Sequence, residues 1–130
     1  RNGKVYVSLE AELLFPSGSA EVDDKGRDLL AQLGAVIAEQ NGLEIIIEGH
    51  TDSDNLVSPN FPHNNWELSV LRATSVLAII RDQPGVDPSI LTASGRSEYH
   101  PVDPKDKSRN RRIEVILAPK LDALFDLLDE

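Results

Sequence analysis

Asp52 and Arg72 carry opposite charges at two places from which the chain could present them to one small ligand. Asp52 ends the run GHTD at 49–52, which follows an apolar, β-branched segment at 43–48. Arg72 lies two turns into a segment whose apolar residues recur at helical spacing from about residue 65. Ligands of open α/β sheets collect outside the carboxyl ends of strands, where a following helix can return its N-terminus. We therefore expect both side chains at one edge of a sheet.

This pair of charges could bind a zwitterion. The first N–H groups of a helix lack partners within the helix, so together with the fork of Arg72 they form a site for a carboxylate. Side chains tilt toward the N-terminus of their helix, which brings the guanidinium toward that end. Asp52 supplies the negative charge that an ammonium group needs. The alternative is that Asp52 and Arg72 pair with each other as a structural ion bridge, and sequence spacing does not separate the two.

The hydrophobic patterns predict the elements that position these residues. Strand patterns, either alternating or rich in β-branched residues, occur at 5–9, 43–48, 90–93 and 111–117. Helical periodicity occurs at about 24–38, 65–83 and 121–128. The predicted fold is α+β: a β-α-β-α-β-β mixed sheet with helices packed on it, plus a C-terminal helix.

Composition argues against two classes of function. The 130 residues carry a net charge of -9, whereas general nucleic-acid binders neutralise phosphates with lysine and arginine. No apolar run approaches the roughly 18 residues of a membrane helix, so we expect contact with a membrane only through a segment that precedes Arg1. Residues 96–112 depart from the acidic balance, because they hold six basic and three acidic residues.

Catalytic and metal chemistry find little support in the sequence. His50, His63 and His100 are not at the spacing of metal ligands, and His50 has no readable acid or nucleophile partner. The chain lacks cysteine, a P-loop, a dinucleotide fingerprint and a nucleophile elbow. We therefore predict no catalytic residue, no metal and no cofactor. Trp66 is interpreted as a hydrophobic anchor at the start of the second helix in preference to a sugar-stacking platform.

Five features, taken in order, resemble the OmpA-like peptidoglycan-binding domain. They are LFPSGSAEV at 14–22, GHTD at 49–52, NWELSVLRA at 65–73, Gly95, and NRRIEV at 110–115. The resemblance covers roughly residues 5–117, so we expect this domain at 1–118 and an amphipathic helical extension at 119–130. The tryptophan at the helix start and the long proline-bearing loop before it are more similar to the MotB branch, the flagellar stator subunits and their relatives, than to the outer-membrane porin branch.

The resemblance implies non-covalent binding of peptidoglycan through the diaminopimelate of the stem peptide, whose free end is a zwitterion. It also implies a location in the periplasm, with the protein tethered to the inner or outer membrane by a preceding segment. The oligomeric state, including a homodimer, stays open. The alternative function is a periplasmic protein-interaction module, which would dock a partner through the basic segment while the pocket is vestigial.

Carried over by position, the family's ligand contacts fall on eight residues: Thr51, Asp52, Asn65, Leu68, Arg72, Asn110, Arg111 and Arg112. Asp52 and Arg72 match the main polar clamps. Thr51 and Asn65 match supporting polar contacts, and Leu68 matches part of the pocket wall. The run at 110–112 implies a basic group near the ligand, and at most one of its arginines faces the pocket because successive strand residues point to opposite faces. Pro16 stands where many members have an acid, so any contact made by that acid is absent or replaced.

Overall fold

The computed structural model describes residues 3–16, 18–120 and 128, and within them it confirms the predicted order of strands and helices. The strands are β1 (Val5–Glu10), β2 (Leu43–His50), β3 (Leu91–Gly95) and β4 (Arg112–Pro119). The helices are α1 (Asp24–Ala38), α2 (Asn65–Arg81) and the single turn α3 (Lys107–Asn110), with 3₁₀ turns at Ala11–Leu13 and Pro88–Ile90. The predicted C-terminal helix falls almost wholly outside the described residues. No helix in the described ranges is both long and apolar enough to cross a membrane.

The four strands form one mixed sheet in the order β1-β4-β2-β3. Strands β2 and β3 pair in parallel, and α2 connects them as the crossover that parallel pairing requires. Strand β4 lies between β1 and β2 and is antiparallel to both. The last strand along the chain therefore occupies the centre of the sheet.

Helices α1 and α2 cover one face of this sheet. Ile45 and Ile47 of β2 pair with Leu117 and Val115 of β4, and this set points toward the helices. Ile45, Ile47 and Val115 have no exposed surface. Alternate residues of the same strands, including Glu48 and Glu114, point to the opposite face. The period of two read from the sequence thus separates an apolar core face from a polar face.

Capping residues fix where both long helices begin. The side chain of Asp23 accepts a hydrogen bond from the Gly26 N–H, and that of Asn64 accepts one from the Glu67 N–H. These contacts satisfy donors that the first turn of a helix leaves without partners. The start of α2 at Asn65, on which the predicted site depends, is therefore defined by its own sequence.

Two glycines let α2 approach the sheet closely. A Cβ atom added at Gly49 would overlap the backbone carbonyl oxygen of Ser69 on α2, and one added at Gly95 would overlap the Ser69 hydroxyl. That hydroxyl donates a hydrogen bond to the Trp66 carbonyl and accepts one from the Ser97 N–H. The first turns of α2 are consequently held against the ends of β2 and β3.

We predict that Gly49→Ala lowers the free energy of unfolding by about 2–3 kcal/mol, because the new methyl group meets backbone that cannot rotate away. Chemical denaturation measures this change. Gly3→Ala is the control, since its methyl group would have no atom within 4 Å and only the positive φ of 76° would oppose the change. Equal losses in the two variants would contradict the close backbone packing at Gly49.

Candidate functional site

A cleft of about 250 Å³ lies where the end of β2 meets the start of α2. Its lining combines charged, polar and apolar residues from α2, from the segment that follows β2 and from two other loops: Gly18, Thr51, Asp52, Asp54, Asn55, Leu56, Asn65, Leu68, Arg72 and Arg111. Six of the eight residues predicted as ligand contacts are in this set. The structure places the other two, Asn110 and Arg112, elsewhere.

The carboxylate of Asp52 is almost buried, with 8% of its side chain exposed. Its Oδ2 atom accepts a hydrogen bond of 2.5 Å from the guanidinium of Arg111. Its Oδ1 atom accepts one of 3.0 Å from the Asp54 N–H. The ion partner of Asp52 is therefore Arg111, and the alternative of a direct Asp52–Arg72 bridge is not what the structure shows.

Arg72 is also buried, with 6% of the residue exposed. Its Nε donates to the Ser19 carbonyl at 3.0 Å, and the guanidinium carbon lies 5.0 Å from the centre of the Phe15 ring. In the described part of the chain no carboxylate forms an ion pair with it. Burial and then the positive charge of Arg111 lower the pKa of Arg72, while Asp52 opposes them. Asp52 thus pairs with Arg111 and only influences Arg72 through its charge, which leaves positive charge available for an anionic group.

Thr51 and Asn65 bond to the backbone of the cleft. The Thr51 hydroxyl donates to the Asp52 carbonyl, and the Asn65 side-chain amide donates to the Asp54 carbonyl, each at 3.0 Å. Lys107 of α3 closes the rim with a 2.6 Å ion pair to Asp54. Sequence reasoning missed Asp54 and Lys107 as rim residues, and the local excess of basic residues at 96–112 was the signal that could have pointed to Lys107.

A second cavity of about 280 Å³ adjoins the cleft and shares Gly18, Arg72 and Arg111 with it. Pro16 and Glu12 also line this cavity. Pro16 occupies the place where the resemblance led us to expect an acid, and Glu12 puts a carboxylate on the same cavity from one turn earlier. The two guanidinium groups can therefore be reached from two sides.

Asn110 and Arg112 stabilise the segment that leads from β3 to β4. The Asn110 side chain accepts from the N–H groups of Val102 and Asp103 and donates to the Asp103 carbonyl. Arg112 is buried on the opposite face of the sheet, where it contacts Glu114 and the His100 carbonyl. Arg111 precedes β4 and points to the cleft, so this arginine alone of the two lies near the predicted ligand.

A larger cavity, of about 740 Å³, lies on the polar face of the sheet, away from the cleft. Among the described residues, ligand atoms of Glu48, His50 and Glu114 lie within 4.8 Å of one another, close enough to hold a metal ion. Each carboxylate already has a cationic neighbour, because Glu48 pairs with Arg96 and Glu114 pairs with Arg112. A cation would have to compete with these pairs.

Only two of the three histidines considered from the sequence are near each other. His50 and His100 have ring centres 6.2 Å apart, whereas His63 pairs with Glu67 at the start of α2. Trp66 corrects another interpretation, since it is 51% exposed and stacks on Tyr99 instead of anchoring the helix in the core.

The structure is a mixed sheet with helices on one face, and the cleft at its edge is lined by buried side chains of both charges. The model of the OmpA family matches residues 14–114, and the chain belongs to this family. Motility protein B of Bacillus subtilis is 30% identical over 120 residues, which cover 89% of this chain and 46% of that protein. The chain spans about half the length of the curated relatives it matches.

Solved structures show the same fold. A MotB-like protein from Desulfovibrio vulgaris superposes with a TM-score of 0.83 at 30% identity, covering 91% of this chain and 77% of that one. The cell wall anchor of the T6SS from Pseudomonas aeruginosa superposes with a TM-score of 0.78 at 29% identity, covering 90% of this chain and 82% of that one. The periplasmic domain of Helicobacter pylori MotB superposes with a TM-score of 0.85 at 22% identity, covering 99% of this chain and 92% of that one. At this level of identity the likeness concerns the fold alone.

His50 makes stability depend on pH. Burial, and next the charge of Arg112, lower its pKa from the ordinary 6.5, while Glu114 and Glu48 oppose them. Because the unfolded chain then binds this proton more readily, the stabilisation is complete above about pH 6.5 and decreases as the pH falls below it.

We expect the melting temperature of the wild-type chain to fall between pH 7 and pH 5, and that of His50→Gln to fall less over the same range. His100→Gln is the control, and identical profiles for all three proteins would contradict this assignment.

Proposed function

We propose that this chain binds peptidoglycan non-covalently through the diaminopimelate of the stem peptide and so anchors a membrane-tethered envelope protein to the cell wall. The observation that carries the proposal is the convergence of one buried carboxylate and two guanidinium groups on a cleft of about 250 Å³. Membership of the OmpA family and likeness to a cell wall anchor support it. The proposed ligand is a zwitterion, which offers each of these groups an opposite charge.

In this proposal Arg72 and Arg111 hold the ligand carboxylate. The terminal amino groups of Arg72 remain available, because its one hydrogen bond in the described structure is made by Nε. A carboxylate placed between the two arginines would relieve their mutual repulsion, which contributes to lowering the pKa of Arg72. Charge-assisted and bidentate hydrogen bonds of this kind are among the stronger contacts that proteins make.

Asp52 holds the ligand ammonium group in the same scheme. Its carboxylate accepts two hydrogen bonds from the described residues, and an ionised carboxylate can accept about four. Thr51 and Asn65 fix the backbone on either side of it, and Leu68 supplies an apolar wall for the methylene chain of diaminopimelate. In this scheme each charged group of the ligand meets a side chain of opposite charge in the cleft.

We further propose that the domain lies in the periplasm and that a preceding segment tethers it to the inner or outer membrane. Likeness to a cell wall anchor supports this location, and the chain matches only about half of the length of its curated relatives. A homodimer stays a prediction. Sedimentation velocity of the chain over a range of concentrations tests it directly.

Matched muropeptides test the zwitterion specificity. A lysine-type stem peptide keeps the ammonium group but lacks the neighbouring carboxylate, so the arginines would have no anionic partner. A site built for a buried polar group rejects the analogue that lacks it. We expect the lysine form to bind more weakly by about 2–4 kcal/mol in calorimetry. Equal affinities would show that the arginines hold no ligand carboxylate.

Variants of the cleft test the assignment of residues. Asp52→Asn and Arg72→Gln are each expected to weaken binding of the diaminopimelate muropeptide by about 2–5 kcal/mol, because each leaves a desolvated ligand charge unpaired. Asp103→Asn and Arg109→Gln are the matched controls, since they alter an exposed Asp–Arg pair outside the cleft. Co-sedimentation with insoluble sacculi gives a second measurement. Unchanged affinity together with a lower melting temperature would make Asp52 and Arg72 structural residues.

A further inference from the structure

An aromatic patch surrounds the start of α2 on the side away from the cleft. It consists of Phe61, Trp66, Val70 and Tyr99, which are 61%, 51%, 42% and 64% exposed. The Trp66 and Tyr99 rings lie 5.5 Å apart and are inclined by 34°. Beside Trp66 runs an apolar groove of about 320 Å³, whose lining includes Phe61 and Val70. Exposed apolar groups gathered in this way mark interaction sites more often than scattered ones do.

The chemistry of the patch fits a sugar ring. Pyranose rings have a face of C–H bonds that packs on flat aromatic rings, and hydroxyl groups at the edge that need polar neighbours. Trp66 and Tyr99 combine a flat apolar body with one polar group each. Glu67 and Thr74 are the polar side chains that line the groove. In the described structure Glu67 bonds to His63 through Oε1, so its Oε2 atom is the one left to accept from a sugar hydroxyl.

The position of the patch relates it to the cleft. Trp66 directly follows Asn65, which lines the cleft, and it lies two residues before Leu68, the cleft's apolar wall. At 3.6 residues per turn, Trp66 and Leu68 point to nearly opposite sides of a helix about 10–12 Å wide. An extended peptide of three residues spans about 10 Å. Because both residues lie in the first turn of α2, a stem peptide with its diaminopimelate in the cleft could pass around this end of the helix and carry its covalently attached sugar to the patch.

We infer that the aromatic patch is a glycan subsite, which stacks an amino-sugar ring of the same polymer whose stem peptide occupies the cleft. This inference rests on the proposed function for its ligand, but it stands on different residues. The two sites bind different parts of the polymer: the cleft binds the charged peptide, and Trp66 and Tyr99 contact the uncharged glycan.

Three probes test the inference by calorimetry: the free tripeptide ending in diaminopimelate, the same tripeptide on its disaccharide, and peptide-free glycan fragments. We expect the disaccharide to increase affinity for the wild-type chain about fivefold to tenfold, the scale of one good aromatic contact. Trp66→Ala and Tyr99→Ala should remove this increase and leave tripeptide affinity unchanged. Trp66 is the sole tryptophan of the chain, so its fluorescence reports sugar contact directly.

Val36→Ala is the matched control, because Val36 is an equally exposed apolar residue on α1. A disaccharide that adds no affinity, or a gain that persists in both aromatic variants, overturns the glycan subsite. Glycan fragments that bind through Trp66 while the tripeptide does not would retain the subsite and refute the proposed cleft. Self-association that Trp66→Ala abolishes, with sugar affinity unaltered, would make the patch a dimer surface instead.

Discussion

The geometry of the site depends on the contact between α2 and the ends of β2 and β3. At Gly49 and Gly95 the sheet has no side chain, so Ser69 of α2 packs directly on the strands. This contact fixes the height of α2 over the sheet and keeps its first turns beside the end of β2. Asp52 follows β2 by two residues and Arg72 lies on α2, so this contact also sets the positions of both side chains. A wider separation would leave their charges too far apart to share one ligand.

Burying the charge of Arg72 has a cost that the surrounding structure only partly offsets. The Ser19 carbonyl and the Phe15 ring contact its guanidinium, yet burial and Arg111 both disfavour its charged form. Buried charges that lack a full set of partners are costly, and perturbed ionisable groups concentrate at functional sites. A ligand carboxylate, as proposed, would supply the missing partner. Relief of the cost of burying Arg72 would then contribute to the free energy of binding.

Local patterns sufficed for the elements, whereas the contacts between elements required the structure. The β-branched run at 45–47 and the helical spacing from residue 65 predicted β2 and α2, because burial of one face imposes those periods. Alternation also indicated that at most one of Arg111 and Arg112 faces the cleft. The Arg72–Ser19 contact joins residues 53 positions apart, and no local pattern encodes it. The burial of Trp66 was predicted wrongly, because a tryptophan at the start of a helix can be either buried or exposed and the local sequence does not distinguish the two.

The segment between β3 and β4 makes contacts with both the cleft and the aromatic patch. Ser97 adopts a positive φ of 53°, an unfavourable conformation for serine, and it bonds to both the Ser69 hydroxyl and the Thr51 N–H. Two residues later Tyr99 stacks on Trp66, and further along Lys107 reaches Asp54. Because these contacts exist in the free chain, binding would require little ordering of the protein. A preorganised rim of this kind converts more of its contact energy into affinity.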